Sequence, residues 1–129
     1  DPGYRIVQAA RQEQYDVSVI PGPCAAITAL AGSGLPSDRF QFLGFPSSKK
    51  NARQKWLREY SQNTETLIFY ESSHRILETL KDVEQVFGSE RQIVVARELT
   101  KTYETWLNGE AGQVRALVEG DKNQKRESL

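Results

Sequence analysis

The sequence has little of what several kinds of chemistry require. Cys24 is the only cysteine and His74 the only histidine among 129 residues. No internal disulfide can form, which fits a reducing cytoplasm. One thiol and one imidazole cannot build a zinc site of the usual kind, and a second histidine-based catalytic centre is excluded. No apolar run approaches the ~20 residues that a membrane helix needs. The opening Asp1-Pro2-Gly3 is a turn, without the basic start and apolar core of a secretory signal. Net charge is lacking too: 17 basic residues meet 17 acidic ones. Bulk charge therefore argues for no nucleic-acid partner, and only a local patch could hold one.

What is present is the profile of a soluble globular chain, 38% hydrophobic and 26% charged, of a size that suits one modest domain or part of a larger one. Both ends read as cut. No Met precedes the opening turn, and the polar "DKNQKRESL" stops without an apolar element. The expectation is a portion of a longer protein.

Along the chain, strands and helices alternate, which argues an α/β fold. Tyr4 to Gln14 reads as a helix with Ile6, Val7 and Ala10 on one side. "DVSVIPG" reads as a short strand ended by Pro21-Gly22. "RFQFLGF" and "TLIFY" read as two more strands, and "QIVVA" as a fourth, apolar on both faces and so central in a sheet. Ser47 or Ser48 can cap a helix from Lys49 to Tyr60 with an apolar stripe of Ala52, Trp56, Leu57 and Tyr60. Ser72 or Ser73 can cap the next, in which Ile76, Leu80, Val83 and Phe87 recur at helical spacing before Gly88 stops it. "TWLNG" is a further strand, and Ala111, Val114, Leu117 and Val118 mark a last helix.

One stretch stands apart. From Val17 to Ser37 there is no charge, and small residues crowd between Pro21-Gly22-Pro23 and Gly34-Leu35-Pro36. Pro23 suits the first turn of a helix, "CAAITALA" continues it, and Gly32 or Gly34 ends it. Such a helix lets other groups approach its backbone, and its first turn carries unbonded N–H groups. It is either a packing helix between two layers or a helix start pressed against a flat ligand. Spacing does not separate the two.

Four blocks, "DPGYRIVQAARQ", "PGPCAAITALAGSGLPSDRFQFLGF", "TLIFYESSHRILETL" and "VVARELTKTYE", stand in one order and spacing over about residues 1 to 119. Together they resemble the tetrapyrrole methylase superfamily, and within it the branch that methylates a cytidine ribose 2′-hydroxyl of bacterial small-subunit ribosomal RNA with S-adenosylmethionine. The resemblance implies two α/β domains with the cofactor between them, mixed sheets with flanking helices, a homodimer, and a cytoplasmic protein that meets the small ribosomal subunit. It assigns residues 1–22 to the end of the first domain and a linker, 23–119 to the second domain without its last strand, and 120–129 to a polar tail. The family's Gly-rich loop would precede Asp1, so the chain by itself is expected to be inactive. By position the family's cofactor contacts fall on Cys24 and Ala25, on Tyr70 and Glu71, and on Leu99.

Ribose methylation gains from a group that takes the hydroxyl proton. Glu98 and Lys101, after the strand expected to be central, are the catalytic candidates, with Glu71 and Glu104 next. The competing reading of this segment is a solvated turn with local ion pairs. Lys49, Lys50, Arg53, Lys55 and Arg58 put five basic residues in ten, with no acid among them. They form either an RNA-binding patch, with Lys49, Lys50, Arg53 and Lys55 as the contacts, or the solvated face of a helix. His74 at a helix start suits a structural or substrate contact better than catalysis, because the helix dipole disfavours a positive imidazole there. Two rival functions stay open: a methyltransferase acting on a tetrapyrrole, and a non-catalytic RNA-binding or dimerising module.

Overall fold

The computed structural model describes the backbone of residues 3–127 and the side chains up to residue 122. Asp1 and Pro2 of the opening turn, and the last two residues of the polar tail, lie outside the described residues. The elements in order are α1 (Tyr4–Gln12), α2 (Ala25–Ser33), β1 (Phe40–Phe42), α3 (Lys50–Glu59), β2 (Thr66–Ile68), α4 (Ile76–Phe87), β3 (Gln92–Arg97), β4 (Thr105–Glu110) and α5 (Ala111–Glu127).

The α/β class holds, with strands in two separate sheets. β1 and β2 run parallel, Phe40 opposite Thr66 and Phe42 opposite Ile68. β3 and β4 run antiparallel, Gln92 opposite Glu110 and Arg97 opposite Thr105. Among the described residues β3 has β4 as its one partner, so it is not central as its apolar character suggested. Its apolar residues have another cause: Ile93 and Val95 pack under the helices.

The core lies between α3, α4 and α5 and the β3–β4 pair. Leu57, Val83 and Ala111 form one buried cluster, backed by Trp56, Phe69 and Phe87. Leu80, Val114 and Val118 form the other, backed by Ile76, Leu77 and Leu107. Burying each Leu or Val contributes about 1.5–3 kcal/mol. The helical spacing of α4 brings Leu80 and Val83 to both clusters, and Gly88, at φ 97°, ends the helix. Arg115 clamps α5 to α4 through Glu84 at 2.8 Å. That hydrogen bond holds the Glu84 carboxyl below its ordinary pKa. α5 continues to Glu127, so the backbone of the segment read as a polar tail extends this helix.

Four local expectations change. "DVSVIPG" forms no strand, because no described chain lies beside it to complete a ladder. α1 is present but buries none of its residues, and Ile6 and Val7 are exposed. α3 and α4 have Lys49 and Arg75 as their N-cap residues and no side-chain cap, although the Lys49 N–H does bond Ser47 Oγ at 3.2 Å. The buried stripe of α3 is also rotated: Ala52 is exposed, and Arg53 takes the inward position.

Arg53 is therefore a correction to the expected RNA-contacting set. Its side chain is 2% exposed and pairs with Asp82 on α4, Nε to Oδ2 at 2.5 Å. Its Nη1 also reaches the carbonyls of Ser47 and Ser48. Gln54 Nε2 bonds the other Asp82 oxygen at 2.9 Å. A buried guanidinium persists only when paired and hydrogen-bonded, and these partners supply both.

Candidate functional site

α2 is seated at both ends. Gly34, at φ 76°, terminates it, so Gly32 lies inside the helix. Gly32 is there for space: a Cβ would stand 2.7 Å from the Trp106 ring of β4. At the other end the Ala26 N–H donates to the Tyr70 hydroxyl at 3.1 Å. The first-turn N–H groups of Ala25 and Ile27 carry no intrahelical bond, since the ladder begins with Thr28 N–H on the Cys24 carbonyl. Cys24 and Ala25 are exposed.

Tyr70 follows β2, at the carboxyl end of the parallel pair, where ligands of α/β sheets bind. Its N–H bonds the Gly44 carbonyl at 2.8 Å. Phe42 and Phe45 stand edge-on to its ring, with centroids at 5.1 and 5.6 Å. Both phenylalanines are more than half or about half exposed. Helix start, phenol and aromatic edges thus form one open surface from residues far apart in sequence. A surface depression of about 380 Å³ lies at the opposite end of these strands around Asp38, Arg39 and Glu65 and has no part in this surface.

Glu71 turns away from it. Its side chain is 2% exposed. Oε1 accepts the Ser72 N–H at 2.8 Å and faces Arg75 Nε at 3.4 Å, while Oε2 accepts the Thr79 hydroxyl at 2.6 Å. Burial pushes its pKa up, but the bonds from Thr79, Ser72 and Arg75 together outweigh that and leave it below the ordinary glutamate value. A depressed carboxyl adds stability above its unfolded pKa, and that contribution is lost as pH falls through the folded value.

The segment after β3 is an exposed turn. Glu98 and Lys101 pair with each other at 3.0 Å, with side chains 55% and 71% exposed. Glu98 and Thr100 have φ of 53° and 63°, and Thr100 Oγ1 bonds the Leu99 carbonyl. Among the described residues no hydrogen bond or ion pair joins this turn to Tyr70 or to the start of α2. The structure therefore brings Cys24, Ala25 and Tyr70 together and points the Glu71 carboxylate inward, and among the described residues no hydrogen bond or ion pair ties Leu99, Glu98 or Lys101 to them. His74 is exposed beside Arg75. On α3, Lys49, Lys50, Lys55 and Arg58 are exposed.

Phe42, Phe45 and Thr79 were not among the expected site residues. Thr79 had a signal in the sequence, a hydroxyl in the α4 stripe that a purely apolar core does not need. Phe42 and Phe45 read only as a strand, because their closeness to Tyr70 depends on the pairing of β1 with β2.

The donor set fits one wall of an S-adenosylmethionine site. Helix-start N–H groups and the positive end of the helix dipole suit a carboxylate, and a phenol with exposed aromatic edges suits a flat heterocycle. Among the described residues no group of three His, Cys, Asp or Glu side chains could hold a metal ion, and no helix is long and apolar enough to cross a membrane.

The sequence pattern of the tetrapyrrole (corrin/porphyrin) methylases matches residues 1–115. Ribosomal RNA small subunit methyltransferase I of Escherichia coli O157:H7 is 47% identical over 126 residues, which cover 98% of this chain and 44% of that protein. The protein of the same name from Xylella fastidiosa strain Temecula1 is 49% identical over 126 residues, 98% of this chain and 46% of that protein. The one from Halalkalibacterium halodurans is 49% identical over 109 residues, 84% and 37% of the two chains. The chain spans less than half the length of these curated relatives.

Proposed function

The chain belongs to the tetrapyrrole (corrin/porphyrin) methylase family, and from that premise we propose that it forms the second-domain wall of an S-adenosylmethionine-dependent methyltransferase acting on a cytidine ribose 2′-hydroxyl of small-subunit ribosomal RNA. The observation that carries this reading is the meeting of Cys24, Ala25 and Tyr70 at the start of α2, in a chain 47% identical to a protein named for that RNA.

When bound, the cofactor supplies an already activated methyl group on a sulfonium. The chain's work is then alignment. The N–H groups of Ala25 and Ile27 would hold the carboxylate, and Tyr70, Phe42 and Phe45 would bound the ring. The small side chains of Cys24 and Ala25 let the ligand reach the backbone. In the Glu98–Lys101 ion pair the carboxylate is the partner with a lone pair to accept a proton. Glu98 is accordingly the better base of the two, once the turn is brought to the ribose. Lys49, Lys50 and Lys55 would face RNA phosphates, while Arg53 holds the helix that carries them.

Ala25→Leu in the encoded protein that carries this segment tests the cofactor wall. A branched side chain at the exposed start of α2 should raise the S-adenosylmethionine Kd by about tenfold or more, a loss of about 1.4 kcal/mol. A folded variant with unaltered Kd by calorimetry would remove this helix start from the site.

The RNA face has its own test. Replacing Lys49, Lys50 and Lys55 with Ala should weaken binding of small-subunit rRNA and lower the log–log salt slope by about 2, as three phosphate contacts are lost. Arg53 is excluded from that set, since its loss would unseat α3. An unchanged affinity and slope would leave α3 as a solvated face, and binding of a tetrapyrrole in place of RNA would favour the rival substrate.

A further inference from the structure

The inward turn of Glu71 raises the question of what a buried carboxylate does beside an open ligand surface. Its side chain is 2% exposed and both of its oxygens are bonded within the protein. Thr79 is fully buried on the core side of α4. Valine has nearly the same shape and no desolvation cost at such a position, so the hydroxyl is there for its bond. That bond, at 2.6 Å, ties α4 to Glu71. Glu71 in turn fixes the corner after β2, because it also takes the N–H of Ser72 at 2.8 Å. The adjoining residue in that corner is Tyr70, whose hydroxyl accepts the Ala26 N–H at the start of α2. The links form one chain: Thr79, Glu71, Tyr70, Ala26.

We propose that Thr79 and Glu71 are positioning residues for cofactor binding, holding Tyr70 against the start of α2 without touching the ligand. This rests on the reading of Cys24, Ala25 and Tyr70 as a cofactor wall. A free phenol on an open surface samples several rotamers, and each one that leaves Ala26 weakens the wall. A corner pinned from behind by a charge-assisted hydrogen bond stays in the binding arrangement before the ligand arrives.

The test uses the encoded protein and measures S-adenosylmethionine Kd by calorimetry beside the thermal midpoint. Thr79→Val should raise Kd by about fivefold to tenfold, and Thr79→Ser, which restores the hydroxyl, should return it to within about twofold of the unmodified protein. Val83→Ala in the same helix serves as the control for stability: it should lower the midpoint and leave Kd unchanged. In a Tyr70→Phe background Thr79→Val should add nothing further to Kd, since both changes cut the same chain. Glu71→Gln keeps the shape of the corner without its charge, and tests the same link should Thr79→Val not fold. If Thr79→Val or Glu71→Gln folds and binds with unchanged Kd, or if Val83→Ala raises Kd equally, the positioning role is overturned while the cofactor wall stands. If the unmodified protein binds no S-adenosylmethionine, both fall.

Discussion

Asp82→Ala should cost about 3–5 kcal/mol of stability, the usual consequence of leaving one member of a buried ion pair without its partner. Arg53 would remain 2% exposed with no carboxylate on Nε. The nearest other acid, Glu78, lies 4.0 Å from Nη2 and is itself two-thirds exposed. Domains of this size have about 5–15 kcal/mol in total, so the variant should melt well over 10 °C lower. Arg53→Ala should do similar damage, because it strands Asp82 and frees the carbonyls of Ser47 and Ser48. The double replacement Arg53→Met with Asp82→Leu should recover much of the loss, since an apolar pair of similar volume carries no desolvation cost. Chemical denaturation of the three variants settles the matter. An Asp82→Ala unfolding free energy within about 1 kcal/mol of the starting protein's would mean that water reaches the pair, as it does in an exposed ion pair.

The purified 129-residue chain should transfer methyl groups to rRNA at roughly a hundredth or less of the rate of a full-length relative. The reason is the openness of the wall. Cys24 and Ala25 are exposed, Phe42 and Phe45 are 50% and 66% exposed, and the Glu98–Lys101 turn makes no bond to them. A ligand on that surface is covered from one side. Methyl transfer needs the donor and the hydroxyl fixed in line, and well-made alignment can supply up to about 7–11 kcal/mol of a barrier. One open wall binds weakly and aligns less. The assay combines the chain, labelled S-adenosylmethionine and small ribosomal subunits that lack the modification. A rate equal to the full-length relative's would show that these residues build the whole cleft.

Much of the fold was legible because helices declare themselves locally. Ile76, Leu80, Val83 and Phe87, and again Ala111, Val114 and Val118, follow a period that only a helix turns into one face, and these residues form the core. The uncharged stretch around Cys24 and Ala25 also announced itself, since few surfaces lack charge over such a length. Strands were harder. "DVSVIPG" has the composition of a strand and forms none, and "QIVVA" has that of a central strand and pairs on one side. A strand is completed by a neighbour, and composition does not say whether the neighbour is there.

Arg53 marks the limit most clearly. Within Lys49 to Arg58 it is one basic residue among five, and nothing local sets it apart. Its partner Asp82 lies 29 residues away, on a helix whose packing against α3 is set by Leu57 and Val83. Glu71 is a parallel case. Position placed it at the site, and its partner Thr79, eight residues along the chain, points it into the protein. The sequence by itself determined the α/β class, the family and the core face of α4, because periodicity and small-residue runs are properties of neighbours along the chain. Only the tertiary structure decided which charges are buried, which carboxylate is structural, and which residues share the open surface at α2. Those outcomes depend on desolvation and hydrogen-bond geometry between groups that the chain brings together only when it folds.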